Sequence, residues 1–335
     1  MVRIEERTWR TAHCDYLRLF CKNARITQRG CSRRLQRLAC DFGLEHSFGK
    51  AAAQLREHHA VELSKSTARL LTLKHAANLR EAQLKREKVR VLPSRGAERI
   101  ITEADGSMLP IVECGNAQGD RRKQRTITWQ EARLAAAQKQ GEARVHYAVS
   151  FGDVHETGEQ WARATLDAGW AANTRIHALG DGAGWIEEQH RVHFARHGSY
   201  LVDFFHVCEY LSAAAPPGQE RWLEKQKERL KSNRHDQVIA ELEKRVEPEG
   251  TPEENAPVRA AHRYLGNRTH VMDYQSALEQ DLPIGSGLIE SAHRHIFQSR
   301  LKIPGAAWLR TTAQDIAHAR AARANQLWDS YWGQN

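Results

Sequence analysis

Two short apolar runs end in Asp-Gly, Ile100-Ile-Thr-Glu-Ala-Asp105-Gly and His177-Ala-Leu-Gly-Asp181-Gly, and a third glycine-rich segment, Gly285-Ser-Gly-Leu-Ile-Glu290, opens a helix-like stretch. A chain that alternates β-rich apolar runs with helical patterns folds as a sheet covered by helices. Strand-like runs are read at Arg99–Ala104, Met108–Cys114, Val145–Phe151, Arg175–Leu179 and Tyr200–Phe205, and helices at Glu156–Ala168 and Trp185–Arg196. Their order is β-β-β-α-β-α-β, with a polar loop tip at Gly115–Gln124. Asp105, Asp181 and Glu290 therefore stand at junctions of strand or helix, where carboxylates can converge on one site.

The segment 207–280 reads as helical and heavily charged, broken at Pro216-Pro217-Gly218 and Glu247–Pro257, and is expected to be an insertion outside the sheet. In the helix opened by Gly285-Ser-Gly, Ile289, Ala292 and Ile296 would face the core, with Glu290, His293, Arg294 and Phe297 on a neighbouring face. A last helix is expected from Trp308 to about Trp328.

Charge divides the chain. The formal net charge is +9, yet residues 1–98 hold 21 Lys/Arg against 10 Asp/Glu, so all of the excess lies in the first third. Between Cys21 and Cys40 there are six basic residues and no acidic one. Such a module suits a polyanion, most simply nucleic acid, or else is a solvated helical surface. Residues 1–88 read as helical, 89–98 as a linker, and 99–206 and 281–335 as the two parts of the sheet-bearing core. Within 47–79, Phe48, Ala51, Ala52 and Leu55 repeat at helical spacing, His59–Leu63 breaks the pattern, and Ser64 is placed to cap a second helix carrying Ala68, Leu71 and Ala76. Lys65, Arg69 and Lys74 on that second helix make it a helix-turn-helix candidate for DNA. Cys14, Cys21, Cys31 and Cys40 cluster without a Cys-x-x-Cys pair, which favours buried thiols over zinc. No apolar run reaches membrane-spanning length and the first residues lack a signal-like stretch, so a cytoplasmic, nucleoid-associated bacterial protein is expected.

The local motifs Asp181-Gly-Ala-Gly-Trp-Ile, Asp203-Phe-Phe-His-Val-Cys-Glu-Tyr-Leu and Gly285-Ser-Gly-Leu-Ile-Glu290, with Arg300-Leu-Lys302 and Trp308 behind them, resemble the DDE transposases, specifically the ISKra-type insertion-sequence transposases related to the Mutator-like group. The resemblance covers about 99–310. It implies an RNase H-like mixed five-stranded sheet with covering helices, a helical insertion and an all-α N-terminal DNA-binding module. It also implies that Asp105, Asp181 and Glu290 hold two Mg²⁺ ions, with Mn²⁺ a substitute, for cutting and joining DNA. The partners implied are terminal inverted repeats, target DNA and a second copy of the chain. Asp203-x-x-His206 resembles a group signature, organising the site or touching DNA, against a His with only a structural bond. Trp222 would stack on a flipped base or pack a helix. Arg294, Arg300 and Lys302 would contact phosphates or be solvated. Taken singly, each acid has a plain alternative: an Asp-Gly turn, or a Glu favouring a helix dipole. Glu103, Asp153 and Glu187 are the nearby acids that could be confused with the three. Two other readings remain: an RNase H-fold nuclease or resolvase that cuts without joining, and a catalytically dead DNA-binding derivative.

Overall fold

The computed structural model describes residues 7–10, 16–23, 26, 30–86, 91–114 and 125–333. Cys14, the start of the expected linker at 89–90 and the expected loop tip Gly115–Gln124 lie outside the described residues. In chain order the elements are β1 (Thr8–Arg10), β2 (Tyr16–Arg18), α1 (Leu19–Asn23), α2 (Arg33–Glu45), α3 (Phe48–His59) and α4 (Lys65–Leu84). Then come β3 (Arg99–Cys114), β4 (Arg125–Lys139), β5 (Val145–Ser150), α5 (Val154–Asp167), β6 (Arg175–Gly180), α6 (Gly184–His193) and β7 (Gly198–Val202). The rest is helical: α7 (Phe204–Ala214), α8 (Glu220–Lys231), α9 (His235–Glu243), α10 (Pro257–Gly266), α11 (Tyr274–Glu279), α12 (Gly287–His293), a π-turn at Arg294–Gln298, α13 (Ser299–Leu301), α14 (Arg310–Ala324) and α15 (Trp328–Gly333). The chain divides into two compact units, one of Met1–Arg86, Leu109–Gln130 and Arg294–Asn335, the other of Glu87–Met108 and Glu131–His293.

The second unit is built on a mixed sheet of five strands in the order β5-β4-β3-β6-β7. β4 and β5 are antiparallel, while β3, β6 and β7 run parallel. The strand count agrees with the sequence, but two boundaries are corrected. The runs Arg99–Ala104 and Met108–Cys114 are one strand, β3, and the strand beside it is β4, from a stretch without a strand-like pattern. Asp105-Gly106 looks like a turn, yet it continues extended because Gly106 leaves room for Glu131: a Cβ there would collide with the Glu131 carboxylate. β4 hides because its buried stretch is alanine-rich, Ala132 and Leu134 to Ala137, and shows no period-two alternation.

Ile100, Ala104, Ile176, Leu179 and Leu201 carry the sheet into a core closed by Trp161 and Phe194. Trp161 is fully buried, and its indole N–H donates to Thr102 Oγ1 at 2.6 Å, satisfying the polar end of the ring. Helices α7–α11 join the same core through Leu211, Leu230, Val238, Leu242, Leu265 and Tyr274, so the expected insertion is packed structure of this unit. The described part of the expected linker is likewise tied down: Gly96 N–H donates to Asn173 Oδ1 at 2.9 Å, and Ala97 N–H to the Gly169 carbonyl at 2.9 Å.

In the first unit, Ser32, Ser47 and Ser64 cap α2, α3 and α4, each hydroxyl accepting the backbone N–H three residues on. Ser64 caps α4 as read from sequence, but α4 runs to Leu84, past the expected end at 79, and the N-terminal region expected to be all-α also holds the antiparallel pair β1–β2. Residues 294–335, with α14 and α15, fall in the same compact unit as the N-terminal helices. α14 is buried from Ile316 to Ala322 around its whole circumference, as a central helix of a bundle must be. Arg80 on α4 pairs with Asp315 at 2.8 Å, and Gln83 donates to the His318 carbonyl at 3.0 Å. Among the described residues, no helix is long and apolar enough to cross a membrane.

Candidate active site

Strand register brings the acids of the second unit together. β3 pairs with β6 so that Glu103 faces Leu179, and the same offset sets Asp105 opposite Asp181. β6 pairs with β7 so that Gly180 faces Val202, which sets Asp181 opposite Asp203. The Asp203 N–H continues that ladder onto the Gly180 carbonyl at 2.8 Å. Neighbouring strands lie about 4.8 Å apart, so the three aspartates form a short row across the sheet. Alternation along β3 puts Glu103 on the same face as Asp105.

Asp181 sits in a braced turn. Its Oδ1 accepts the Ala183 N–H at 2.8 Å, and its carbonyl accepts the Tyr264 hydroxyl at 2.5 Å. Arg268 Nε donates to the Gly182 carbonyl at 2.9 Å, and Gly182 N–H donates to the Tyr200 hydroxyl at 3.1 Å. Gly182 has φ +86°, and a Cβ there would lie 2.6 Å from the Tyr264 hydroxyl. Only glycine satisfies both conditions. Burial holds the Asp181 carboxyl above its usual range, the Ala183 N–H opposes this, and the charge of Asp105 raises it further. Burial likewise raises the hydroxyls of Tyr200 and Tyr264, which keeps both neutral, Tyr264 as a donor to the Asp181 carbonyl and Tyr200 as the acceptor of the Gly182 N–H.

Two buried acids tie down the segment carrying Glu290. Glu103, 1% exposed, accepts the Ile289 N–H at 2.7 Å and so caps the first turn of α12. Burial pushes its carboxyl up to about 8; the N–H groups of Ile289 and Leu288 pull it down, and the charges of Asp203 and Glu290 add to the rise. Asp203 accepts the N–H groups of Phe205 at 2.6 Å and His206 at 3.3 Å through Oδ1, capping α7. Its Oδ2 accepts both the N–H of Ser286, at 2.8 Å, and the Ser286 hydroxyl. At the other end of α12, His293 Nε2 lies 3.0 Å from Asp105 Oδ2. Glu290 itself is exposed on α12, within electrostatic reach of Glu103.

Asp105 and Asp181 are thus neighbours in the sheet, with Glu290 on the helix that Glu103 caps. Among the described residues, no group of three or more His, Cys, Asp or Glu side chains is set to hold a metal. Two adjacent carboxylates, one raising the proton affinity of the other, are a hard-oxygen donor pair suited to Mg²⁺, with Glu290 as a nearby third donor.

The other expected residues fall in varied places. His206 Nδ1 is 3.3 Å from Glu209, and its ring meets Tyr210 and Tyr264 edge-on. Trp222 packs on the core with the Arg245 guanidinium 5.1 Å from its ring centroid. In the first unit Arg294 and Lys302 are exposed, but Arg300 is 1% exposed, which corrects its expected surface role. Its Nε donates to the Gly43 carbonyl at 3.2 Å, and its guanidinium lies 4.9 Å from the Phe48 ring centroid and 4.7 Å from that of Trp308. Of the residues expected on the face beside the core-facing one, Glu290 and Arg294 are exposed while His293 and Phe297 are buried, Phe297 within the π-turn that changes the helical phase after His293. Lys65, Arg69 and Lys74 are all exposed on α4. At roughly 100° per residue Lys65 and Arg69 share a stripe, while Lys74 lies about 180° from Lys65. Asp153 caps α5 through the Glu156 N–H at 2.8 Å, and Glu187 pairs with His270 at 2.8 Å. Cys31 and Cys40 are buried free thiols.

Sequence reasoning missed the braces: Glu103, Ser286, His293, Tyr200, Tyr264 and Arg268. Glu103 carried a local hint, two positions before Asp105 and so on the same face of the strand. Ser286 and Tyr264 act across 83 residues of chain, and even Tyr200 acts across 18, so these braces have no local signature.

Residues 16–331 match the uncharacterised protein family UPF0236. The chain belongs to that family. Curated proteins provide no match for this UPF0236 member. Among solved structures, it is similar to the Drosophila P element transposase strand transfer complex, with a TM-score of 0.32 and 10% identity, over 95% of this chain and 84% of that one.

Proposed function

We propose that this UPF0236 chain is a DDE transposase of an insertion sequence, with an RNase H-like core, that cuts and joins DNA at the ends of its element. The observation that supports the reading is the register of β3 with β6, which, carried two residues beyond the Glu103–Leu179 pair, sets Asp105 opposite Asp181, in keeping with the charge of Asp105 felt at Asp181. Glu290, on a helix capped from the same face of β3, supplies the third carboxylate. Asp105, Asp181 and Glu290 would hold a pair of Mg²⁺ ions, which when bound activate the attacking oxygen and stabilise the leaving oxygen of a phosphodiester.

The chain's own residues prepare for this. Tyr264, Arg268 and Tyr200 fix the Asp181 turn before any substrate arrives. His293 restrains Asp105, which leaves fewer conformations to lose on binding. Asp203 locks the Gly-Ser-Gly segment, so Glu290 enters its helix from a fixed starting point. Joining two ends would take at least two copies of the chain.

The test is a cleavage and strand-transfer assay with the full chain, Mg²⁺ and DNA carrying the inverted repeats that flank its gene. Asp105→Asn and Asp181→Asn are expected to lower cleavage by at least about 10³-fold, in the range of losing a main electrostatic stabiliser, while end binding persists. Cleavage that survives in Asp181→Asn would sink the proposal. Cutting without joining would assign the same site to a nuclease.

A further inference from the structure

One arginine at the Asp181 turn carries a charge that the fold does not answer. Arg268 follows the end of α10, and its side chain reaches back to the turn. Nε donates to the Gly182 carbonyl at 2.9 Å, and Nη1 donates to the Tyr264 carbonyl at 3.2 Å. The guanidinium lies 4.1 Å from the Tyr264 ring centroid, and Tyr264 in turn stacks on Tyr210 with centroids 4.0 Å apart. The stem is closed in as well, because a Cβ on Gly182 would lie 3.0 Å from Arg268 Cδ. Two hydrogen bonds and an aromatic stack fix the group, so it has little freedom left to lose on meeting a ligand.

Other arginines of the same unit have acids: Arg133 pairs with Glu131, and Arg263 with Glu253. Arg268 meets only neutral carbonyls, and its Nη2 has no acceptor among the described residues. A half-buried guanidinium without a counter-charge is costly. The acid it influences is Asp181, whose carboxyl is raised chiefly by burial and drawn down by the Ala183 N–H and, less, by the charges of His206 and Arg268. Asp181 does not neutralise it, for Asp181 Oδ1 is turned to the Ala183 N–H at 2.8 Å. The turn thus presents a fixed cation with one open N–H edge beside a carboxylate, and the partner it lacks is a second anion at the same place.

We propose that Arg268 is a substrate-binding and catalytic residue: its open Nη2 edge holds a non-bridging oxygen of the phosphodiester at Asp105 and Asp181 and stabilises the charge that gathers there as the bond is cut. This role rests on the reading of the site as one that cuts DNA. Charge-assisted N–H to phosphate bonds are the strong ones, and a donor already in place when charge develops needs no reorganisation. A lysine would keep the charge but not the fork that uses Nε for the turn and leaves Nη2 for the substrate. The helical segment between β7 and α12 thereby supplies a contact for the reacting phosphate as well as packing for the sheet.

Two measurements use the full chain and a labelled duplex carrying the inverted repeats that flank its gene, each corrected to folded protein. The first is binding across a salt series with Ca²⁺ in place of Mg²⁺. Arg268→Gln is expected to weaken binding about tenfold and to lower the salt slope by about one. Tyr264→Phe, which removes the hydroxyl brace on the Asp181 carbonyl and keeps the ring under the guanidinium, is expected to keep the parent's slope. The second is single-turnover cleavage in Mg²⁺ at saturating DNA. Arg268→Gln is expected to cut about 10²-fold more slowly, and Arg268→Lys, which keeps the charge, to recover about tenfold of that loss. A parent-like salt slope in Arg268→Gln overturns the proposal. So does a cleavage loss that Arg268→Lys does not recover, which would leave the arginine as a brace of the turn. A parent chain that never cleaves sinks the transposase reading instead, and the salt slope of Arg268→Gln in Ca²⁺ then still decides whether Arg268 holds a phosphate.

Discussion

In the sheet unit the buried charges are anions that end on backbone N–H groups: Glu103 on Ile289, and Asp203 on Phe205, His206 and Ser286. In the helical unit they are cations that end on carbonyls: Arg300 on Gly43, and Arg320 on Leu44, His295 and Ile296. Both obey one rule. α12 and α7 present orphan N–H groups at their starts, and α2 presents orphan carbonyls at its end. Acids suit the first and arginines the second, because each answers the dipole as well as the missing hydrogen bonds. A buried charge in this protein therefore marks a helix end held by a distant segment. The acids differ from the arginines in one respect: their neighbours Asp105, Asp181 and Glu290 leave carboxylate to spare.

Removing a cationic brace should give the largest effect. Arg320, 7% exposed, spans Leu44, Glu45, His295, Ile296 and Ser299. Arg320→Ala leaves those carbonyls without donors and is expected to cost about 3–5 kcal/mol in denaturant unfolding. Arg300→Ala should cost somewhat less, and exposed Lys302→Ala no more than about 0.5 kcal/mol. Equal, small losses in all three would mean that the arginines are not braces and would dissolve the contrast between the units.

This contrast is only partly legible in the sequence. The caps at Ser47 and Ser64 can be read because a cap is local, a hydroxyl three residues from its N–H. Asp105 and Asp181 can be picked out because each ends an apolar run. That they are strand neighbours requires the register, which no local pattern carries. Arg300 reads as a surface residue because a cation after a helix ordinarily meets water; its burial depends on Gly43, Phe48 and Trp308. β4 escapes because alanine runs have no preferred period, and the bundle role of α14 because its partner, α4, lies more than 200 residues earlier.

Acidification should strain the helical unit. His75 and His318 are buried there, and burial lowers each imidazole to about 4. A folded-state value below the ordinary 6.5 means that the unfolded chain binds more protons between the two, so stability is present above pH 6.5 and is lost as pH falls toward 4. Asp41 and Asp315, held above their usual range by burial, offset part of this at the acid end. The expected net loss is on the order of a few kcal/mol between about pH 7 and 4. His75→Gln and His318→Gln should each flatten the curve. A helical unit whose melting is independent of pH over that span would show that neither imidazole is held neutral.

Next in size is the glycine of the Asp181 turn. Gly182→Ala forces a side chain into φ +86° and toward Tyr264 and Arg268, with an expected cost of about 1–3 kcal/mol. The Asp181 carbonyl should lose its Tyr264 bond, so cleavage should fall by more than stability does. If melting drops while cleavage per folded molecule is unchanged, the braces around Asp181 serve the fold alone.

The smallest effect separates packing from base stacking at Trp222. Its ring is partly buried against the core and lies under the Arg245 guanidinium at 5.1 Å, while Arg245 Nη2 donates to the Ala214 carbonyl at 2.7 Å. A cation–π contact at a half-exposed site is worth about 0.5–1 kcal/mol, and phenylalanine keeps part of it. Trp222→Phe should therefore lower stability by less than about 1 kcal/mol, with no change in binding to DNA that carries an unpaired base at the cut. Arg245→Gln should give a similar loss of stability, because it removes the other half of the same contact. A fall in affinity for the unpaired base in Trp222→Phe, with melting and Arg245→Gln binding unchanged, would assign the ring to DNA and give the sheet unit a role in gripping a strand besides holding carboxylates.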